Sequence, residues 1–294
     1  MIDITVIGCG GIGGYVLERL PMAIASLSLD MHELAGWSIE SALASEGTDR
    51  DPIALVVDRL TFVDGDTFSP RNALRQGEGA GGKVEMRYRA LRDSVLARSW
   101  LRNLRICGVK AYVTPDNFMQ LMDTTGRRSP NAGPCAALLA ALSECSGDPD
   151  IRRRLSSKVI FVCVDNAKTR YEVSKCVERM DNVLLINGGN EKTTGHVTLY
   201  ERANGVALDA TLYELYPDVA NGTDLRPDER GCDQVAPKHD QIALTNSMIA
   251  DVMMARFVTW VQSGLTVTDR VGRKKRTNEV LIDIMAPSVV GVQH

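Results

Sequence analysis

The feature that most limits the fold comes first in the chain. A short β-branched run, residues 2–7, passes straight into Gly8-Cys9-Gly10-Gly11-Ile12-Gly13, and a helical pattern follows. Strand, G-x-G-x-x-G and helix in that order describe the opening of a βαβ unit built around a nucleotide. The glycines allow a tight turn and close backbone approach. The helix they lead into offers unpaired N–H groups, and the positive end of its dipole, to a phosphate. Gly8, Gly10, Gly11 and Gly13 are therefore expected to seat a nucleotide. Which nucleotide is left open, because NAD and FAD enzymes use the same device.

The rest of the chain supports an α/β reading. A helix is expected over residues 15–29, with Val16, Leu17 and Leu20 inward and a kink or split at Pro21. Residues 30–51 read as an insertion carrying a short helix near 39–44. Residues 59–63 read as a second strand, 64–82 as a polar loop, 83–104 as a helix and 109–113 as a third strand. A second irregular region covers 115–157, with a helix at 135–144. Residues 159–164 are almost wholly apolar, as in a parallel strand buried on both faces. A helix at 168–180 and a strand at 183–186 follow. From residue 197 strands succeed one another without helices. A long helix at 241–262, with Ile242, Ile249, Met253, Phe257 and Trp260 along one face, and a strand at 280–284 complete the pattern. Alternating strands and helices predict right-handed crossovers and a Rossmann-like, mainly parallel sheet with an antiparallel C-terminal extension. The 294 residues, 44% of them hydrophobic, suit a single domain over 1–294 with insertions near 30–51 and 120–156.

Composition excludes several function classes. The net charge is -3, and the one basic run, Arg273 to Arg276, reads as a solvated hairpin tip, so no nucleic-acid face is expected. No apolar run is long enough to span a bilayer and no signal-peptide pattern opens the chain, which points to the cytoplasm and away from a membrane. The seven cysteines form no C-x-x-C pair, so zinc spacing is absent, and their apolar settings suit free thiols of a reducing compartment. His196 and His239 read as hydrogen-bonded structural residues.

The end of the second strand narrows the chemistry. Asp64-Gly65-Asp66 is followed by Thr67, Ser69, Asn72, Arg75 and Gln76, and then by Lys83 after Gly81-Gly82. One acid at this point suits a ribose hydroxyl, and a dehydrogenase needs little more. A second acid, an amide and two cations suit a metal-bound triphosphate. The acids can hold Mg²⁺ and ribose while Arg75 and Lys83 neutralise phosphate oxygens.

The string D-x-D-T-x-S-x-x-N-x-x-R-Q, Asp64 to Gln76, resembles the ATP-site signature of the ThiF/MoeB/HesA superfamily of ubiquitin-activating-enzyme-like adenylyltransferases. Gly81-Gly82-Lys83 resembles that family's phosphate-binding lysine segment. Val164-Asp165-Asn166 with Arg170 resembles its D-N-x-x-x-R segment, and Gly188-Gly189 with Gly195-His196-Val197 its next strand pair. The resemblance implies ATP and Mg²⁺ as cofactors. It implies Asp64 at the ribose, Asp165 on the metal with Asp66, and Asn166 beside them. Asn72, Arg75 and Lys83 would hold the phosphates with Gln76 in support. It also implies a homodimer, and as substrate a ubiquitin-like β-grasp protein whose C-terminal glycine is adenylated. Cys232, in a polar loop near Arg230, Lys238 and His239, matches a family loop cysteine that accepts the acyl group as a thioester. It could equally be an incidental loop residue.

The chain departs from the family pattern at Arg71, where a serine is usual, and in lacking paired zinc cysteines. It also starts at its first strand, without the N-terminal extension that in several relatives supplies an arginine in trans, so whether an arginine is supplied that way is left open. Three other readings stand beside the main one: a dehydratase-like enzyme that adenylates a small carboxylate, a NAD-dependent Rossmann oxidoreductase, and a non-catalytic partner subunit of a heterodimeric activating enzyme.

Overall fold

A computed structural model of the chain describes residues 1–38, 55–68, 81–96, 101–123, 132–145, 148, 150–221, 224, 226, 228–229, 243–263, 266–268, 274–286 and 288–292. Strand β1 (Ile2–Ile7) lies at the centre, parallel to β2 (Val57–Val63) on one side and to β6 (Lys158–Val162) on the other. Strand β5 (Arg105–Val109) continues the parallel sheet beyond β2, and β7 (Val183–Asn190) continues it beyond β6. From β7 outward the sheet turns antiparallel through β8 (Thr194–Ala203), β12 (Glu279–Asp283) and β13 (Ser288–Val292). Among the described residues the order is β13-β12-β8-β7-β6-β1-β2-β5, with β9 (Val206–Ala207) paired to β8. Two small antiparallel ribbons stand apart: β3 (Thr67–Phe68) with β4 (Gly81–Gly82), and β10 (Thr266–Thr268) with β11 (Lys274–Arg276). This is the Rossmann-like α/β architecture with an antiparallel C-terminal extension.

Two helical layers cover the sheet. One face receives α1 (Gly11–Leu34), α2 (Lys83–Leu96), α4 (Ala132–Cys145), the short α5 (Ile151–Leu155) and α9 (Ala243–Ser263). The other receives α3 (Pro115–Met122) and α6 (Ala167–Val177). Short helices α7 (Leu212–Leu215) and α8 (Pro217–Ala220) lie beyond β9. Strand period sorts the side chains: Val159 and Phe161 enter the larger core, while Ile160 and Val162 enter the smaller one. The stripe Ile249, Met253, Phe257 and Trp260 is fully buried, and Phe257 meets Phe161 edge-on at 5.8 Å. It is a core stripe; Ile242 lies outside the described residues.

Several boundaries differ from the sequence expectation. Helix α1 runs unbroken through Pro21 to Leu34. A proline inside a helix costs about 3 kcal/mol, and burying Leu17, Leu20, Ile24 and Leu27 at about 1.5–3 kcal/mol each outweighs it. Helix α2 is described as far as Leu96, and the third strand is residues 105–109 and not 109–113. The register explains this: Arg59 to Val63 on β2 face Arg105 to Val109. Val113 is buried from a loop, in the smaller core with Phe118. Helix α3 was not anticipated, although Thr114-Pro115-Asp116-Asn117 is a capping box with proline in the first turn. Helix α5, strand β13 and the extension of β7 to Asn190 were also missed.

Of the basic run, residues 274–276 form the return strand β11; Arg273 lies outside the described residues. Cys9 and Cys163 are buried free thiols, Cys107 and Cys176 are half-buried, and Cys145 is exposed at the end of α4. Among the described residues no helix is long and apolar enough to cross a membrane.

Candidate active site

The chain leaves β1 for β2 and β5 on one side and returns to β6 on the other. In open α/β sheets, ligands bind at such a switch, in the crevice outside the carboxyl ends of the strands. Three segments meet there: the glycine loop after β1, Asp64 to Asp66 after β2, and Cys163 to Asp165 after β6.

The glycine loop is fixed by backbone contacts. Gly8 adopts φ +90°, donates its N–H to Val63 O at 2.9 Å, and passes close over the Cys163 carbonyl. A side chain at Gly13 would fall 2.9 Å from the Gly8 carbonyl carbon and nearer still to its oxygen. Only glycine fits a first helical turn folded back this closely. Gly10 is the N-cap of α1 and brings no side chain to the helix's first N–H groups.

Asp64 ties this loop to the acidic strand end. Its Oδ2 accepts the Cys9 N–H at 2.7 Å and its Oδ1 accepts the Asp66 N–H at 2.8 Å. The β3–β4 ribbon pairs Thr67 with Gly82 and so returns the chain to the same place. Lys83 thereby starts α2 with its Nζ 2.9 Å from Asp66 Oδ2 and 3.8 Å from Asp64 Oδ2. Burial disfavours the ammonium, but the charges of Asp64, Asp66 and Asp165 together outweigh it and raise the Lys83 pKa. Lys83 is therefore a fully charged cation in a half-buried setting. Cys9 is held as a thiol, first by burial and then by the Asp64 carboxylate, and it is no nucleophile. Asn72, Arg75 and Gln76 lie outside the described residues, in the segment whose two ends the ribbon joins.

Asp165 is exposed at the end of β6. Asn166 is buried and its side chain caps α6, accepting the Thr169 N–H at 2.8 Å. Arg170 donates to Val164 O and, at 2.8 Å, to Asn187 Oδ1, locking the strand end against β7. The D-N-x-x-x-R segment thus presents one carboxylate and uses its other two polar residues to hold it.

Asp165 and Arg170 also line a cleft of about 1040 Å³ together with Gly189, Asn190, His196 and Tyr216. The His196 ring stacks on Tyr216 at 5.1 Å. Burial, then the Arg170 charge, lower the His196 pKa to about 4, so the imidazole is neutral at physiological pH. Tyr216 donates to Glu279, and burial raises its phenol pKa. Neither group is poised as a base. Among the described residues no three His, Cys, Asp or Glu side chains converge on a metal site.

Two residues at the glycine loop were missed in the sequence. Arg87 reaches it from α2, with Nε 3.4 Å from Cys9 O. Asn246, from the first turn of α9, packs against Gly11 and accepts a hydrogen bond from Asn190 at 2.5 Å. Arg87 was within reach of sequence reasoning, since it lies one helical turn from Lys83. Asn246 was not, because only the tertiary fold brings α9 to α1.

Compared by sequence, the chain matches no family model and no curated protein. Compared by structure, it is similar to PaaA in its selenomethionine form (15% identity, 100% of this chain and 64% of that one, TM-score 0.49). It is similar to Escherichia coli MccB solved with succinimide (12% identity, 99% and 62%, TM-score 0.51). It is also similar to the same protein solved with MccA-N7isoASN (13% identity, 99% and 63%, TM-score 0.50). The chain spans less than two thirds of the length of these proteins. At such identities the MccB likeness is one of fold: nearly the whole chain, glycine loop and antiparallel extension included, follows a known α/β plan.

Proposed function

We propose that the protein binds MgATP at the glycine loop and adenylates a carboxylate. The observation that carries this reading is the convergence of Asp64, Asp66 and Lys83 beside the glycine loop, within electrostatic reach of Asp165. A dehydrogenase has no use for a half-buried, fully charged lysine paired with two carboxylates at its ribose site. A triphosphate does, because Lys83 can exchange its bonds to Asp66 for bonds to phosphate oxygens.

Asp64 turns both oxygens toward backbone N–H groups and keeps further lone pairs for a ribose hydroxyl. Mg²⁺ takes one or two carboxylates and completes its shell with phosphate oxygens and water, so the lack of a three-residue cluster does not count against it. Asp165, exposed at the cleft, fits as its main protein ligand, with Asp66 beside Lys83 as a second. Held there, the metal would supply positive charge that neutralises the phosphates. In the reaction the substrate carboxylate oxygen attacks the α-phosphorus and the bond to the β-phosphate breaks, its electron pair leaving with pyrophosphate. The nucleophile is already anionic, so the neutral His196 is no obstacle. The chain's work is positioning and charge neutralisation.

The adjoining cleft, of about 1040 Å³, has room for the end of a polypeptide, and we favour such a carboxylate over a small acid. MccB, solved with MccA-N7isoASN, supplies a parallel. The C-terminal glycine of a ubiquitin-like protein is the finer proposal, resting on the family resemblance, as does the homodimer. Cys232 lies outside the described residues; a thioester there, as a second step, rests on the family resemblance.

The test is pyrophosphate exchange. Radiolabelled pyrophosphate should enter ATP only when a carboxylate substrate is supplied. Micromolar NAD binding with no detectable MgATP binding would favour the oxidoreductase instead.

A further inference from the structure

We propose that Asn246 binds the α-phosphate of the nucleotide, at a seat shared by the N-termini of α1 and α9. The proposal rests on the reading that the glycine loop seats a nucleotide. It concerns a residue outside both the glycine motif and the family signature.

Helices α1 and α9 lie side by side and run in the same direction. Gly11, at the start of α1, meets Asn246 in the first turn of α9. Farther along, Arg19 donates to Ser247 at 2.8 Å and pairs with Asp251. Toward the far ends, Gln262 donates to Asp30 at 2.9 Å. Each step along α1 is matched by a step in the same sense along α9. Parallel packing sets two positive dipole ends next to each other, an arrangement that repels itself. An anion in front of both ends offsets that repulsion.

Asn246 is the second observation. It is only 1% exposed. Its Oδ1 accepts from Asn190 at 2.5 Å, and among the described residues nothing accepts from its Nδ2. A polar side chain so far from water ordinarily has its donors paired. This donor faces the glycine loop: a Cβ at Gly11 would fall 2.3 Å from Nδ2 and 3.6 Å from Oδ1. Glycine at position 11 is what lets the amide come so close to the start of α1.

Position along the loop says which phosphate is met. Asp64, at the ribose end, holds the Cys9 N–H. Asn246 stands over Gly11, two residues farther on. Beyond it, Asn190 ends β7 and lines the cleft that Asp165 also lines. Between the ribose and the cleft comes the phosphate whose phosphorus the carboxylate attacks. Asn246 offers its N–H there to a phosphate oxygen that gains charge as the fifth bond forms. Asn190, bonded to the other end of the amide, fixes its plane beforehand.

The experiment is calorimetric titration of the full chain with MgATP, AMP and adenosine, using the wild type, Asn246→Ala, Asn246→Asp and Gly11→Ala. Asn246→Ala should weaken MgATP and AMP about 10- to 100-fold, the worth of one hydrogen bond to a charged group, and change adenosine less than about twofold. Asn246→Asp keeps the shape and the acceptor for Asn190 but turns a carboxylate toward the phosphate. It should bind AMP more weakly than Asn246→Ala, while its own melting temperature stays level or rises, because it sets an anion before two dipole ends. Gly11→Ala turns the amide without breaking the loop, so it should still bind MgATP, with part of the same loss. A wild type that binds MgATP together with an Asn246→Ala that binds AMP at full strength overturns the proposal alone. So does equal weakening of AMP and adenosine, or an Asn246→Asp that binds AMP better than Asn246→Ala, either of which marks a structural role. A wild type that binds no MgATP overturns the nucleotide reading and this proposal with it.

Discussion

Gly13→Ala and Gly11→Ala place the same methyl group in the same helical turn, yet the structure assigns them very different costs. At Gly13 the new carbon meets the backbone of Gly8, which cannot swing aside. To reach ordinary contact the loop must retreat by roughly 1 Å or more. That movement strains the Cys9 N–H bond to Asp64 at 2.7 Å and the Gly8 N–H bond to Val63 at 2.9 Å. The first has a charged acceptor, worth about 1.5–3 kcal/mol, and the second is worth about 1 kcal/mol. Both substitutions gain about 0.5–1 kcal/mol of helix propensity. The net loss at Gly13 is therefore about 2–3 kcal/mol, or a fall in Tm of roughly 4–12 °C for a chain of this size. At Gly11 the carbon meets the end of the Asn246 side chain, whose amide can rotate at the loss of its bond to Asn190. That is about 1 kcal/mol and nearly cancels the gain. Differential scanning calorimetry measures the stabilities, and MgATP titration measures the seat. Gly13→Ala should lose nucleotide binding even where it remains folded, and Gly11→Ala should retain it. Equal melting temperatures, or MgATP binding by Gly13→Ala at wild-type strength, would refute the account of the loop.

Lys83→Ala and Asp165→Ala should each lower pyrophosphate exchange by about 10²–10³ or more while leaving the circular dichroism spectrum intact; full exchange in either variant removes that residue from the site. Cys232→Ala should retain exchange and lose any thiol-sensitive adduct with the partner on a non-reducing gel, and an adduct that persists assigns the bond elsewhere. His196 makes stability depend on pH. Its folded pKa of about 4 lies below the ordinary 6.5, so between these values the unfolded chain binds the extra proton. Stability from this group is complete above about 6.5 and falls as pH drops toward 4, by on the order of 3 kcal/mol. Urea unfolding at pH 7 and pH 4.5 should show a larger drop for wild type than for His196→Gln; equal drops would mean that His196 titrates normally. Light scattering at tens of micromolar should report a dimer, and a monomer would count against the family-based expectation.

The sequence was most legible where one physical signal acted alone. The apolar strands β1 and β6, the glycine loop and the acidic end of β2 were placed correctly because burial on two faces and a phosphate-binding turn leave distinctive residue patterns. It misled where two signals competed. Pro21 marked a break, but burial along α1 outweighed it. Val113 suggested a strand, though its burial comes from a loop over α3. The candidate site residues could be named from the sequence, but their geometry was hidden. Nothing in the order of residues shows that the β3–β4 ribbon folds Lys83 back onto Asp66, or that Asn166 is used to cap a helix. The contacts of Asn246 with Gly11 and of Arg87 with Cys9 depend on which helices lie side by side, which only the assembled sheet decides.

That assembly has an order in time. β1 is made first, but its neighbour β6 comes about 155 residues later, Asp3 facing Lys158. At ribosomal rates of about 5–20 residues per second, the opening strand waits roughly 8–30 s for that partner. Until then one edge of the central strand lacks its parallel mate, and Gly8 lacks the Cys163 backbone beneath it. A nucleotide could not hasten matters, since Asp165 arrives with the same late strand. Chains stalled before residue 158 should therefore be cleaved readily by protease whether or not MgATP is present, and chains extended past β7 should gain protection in a single step.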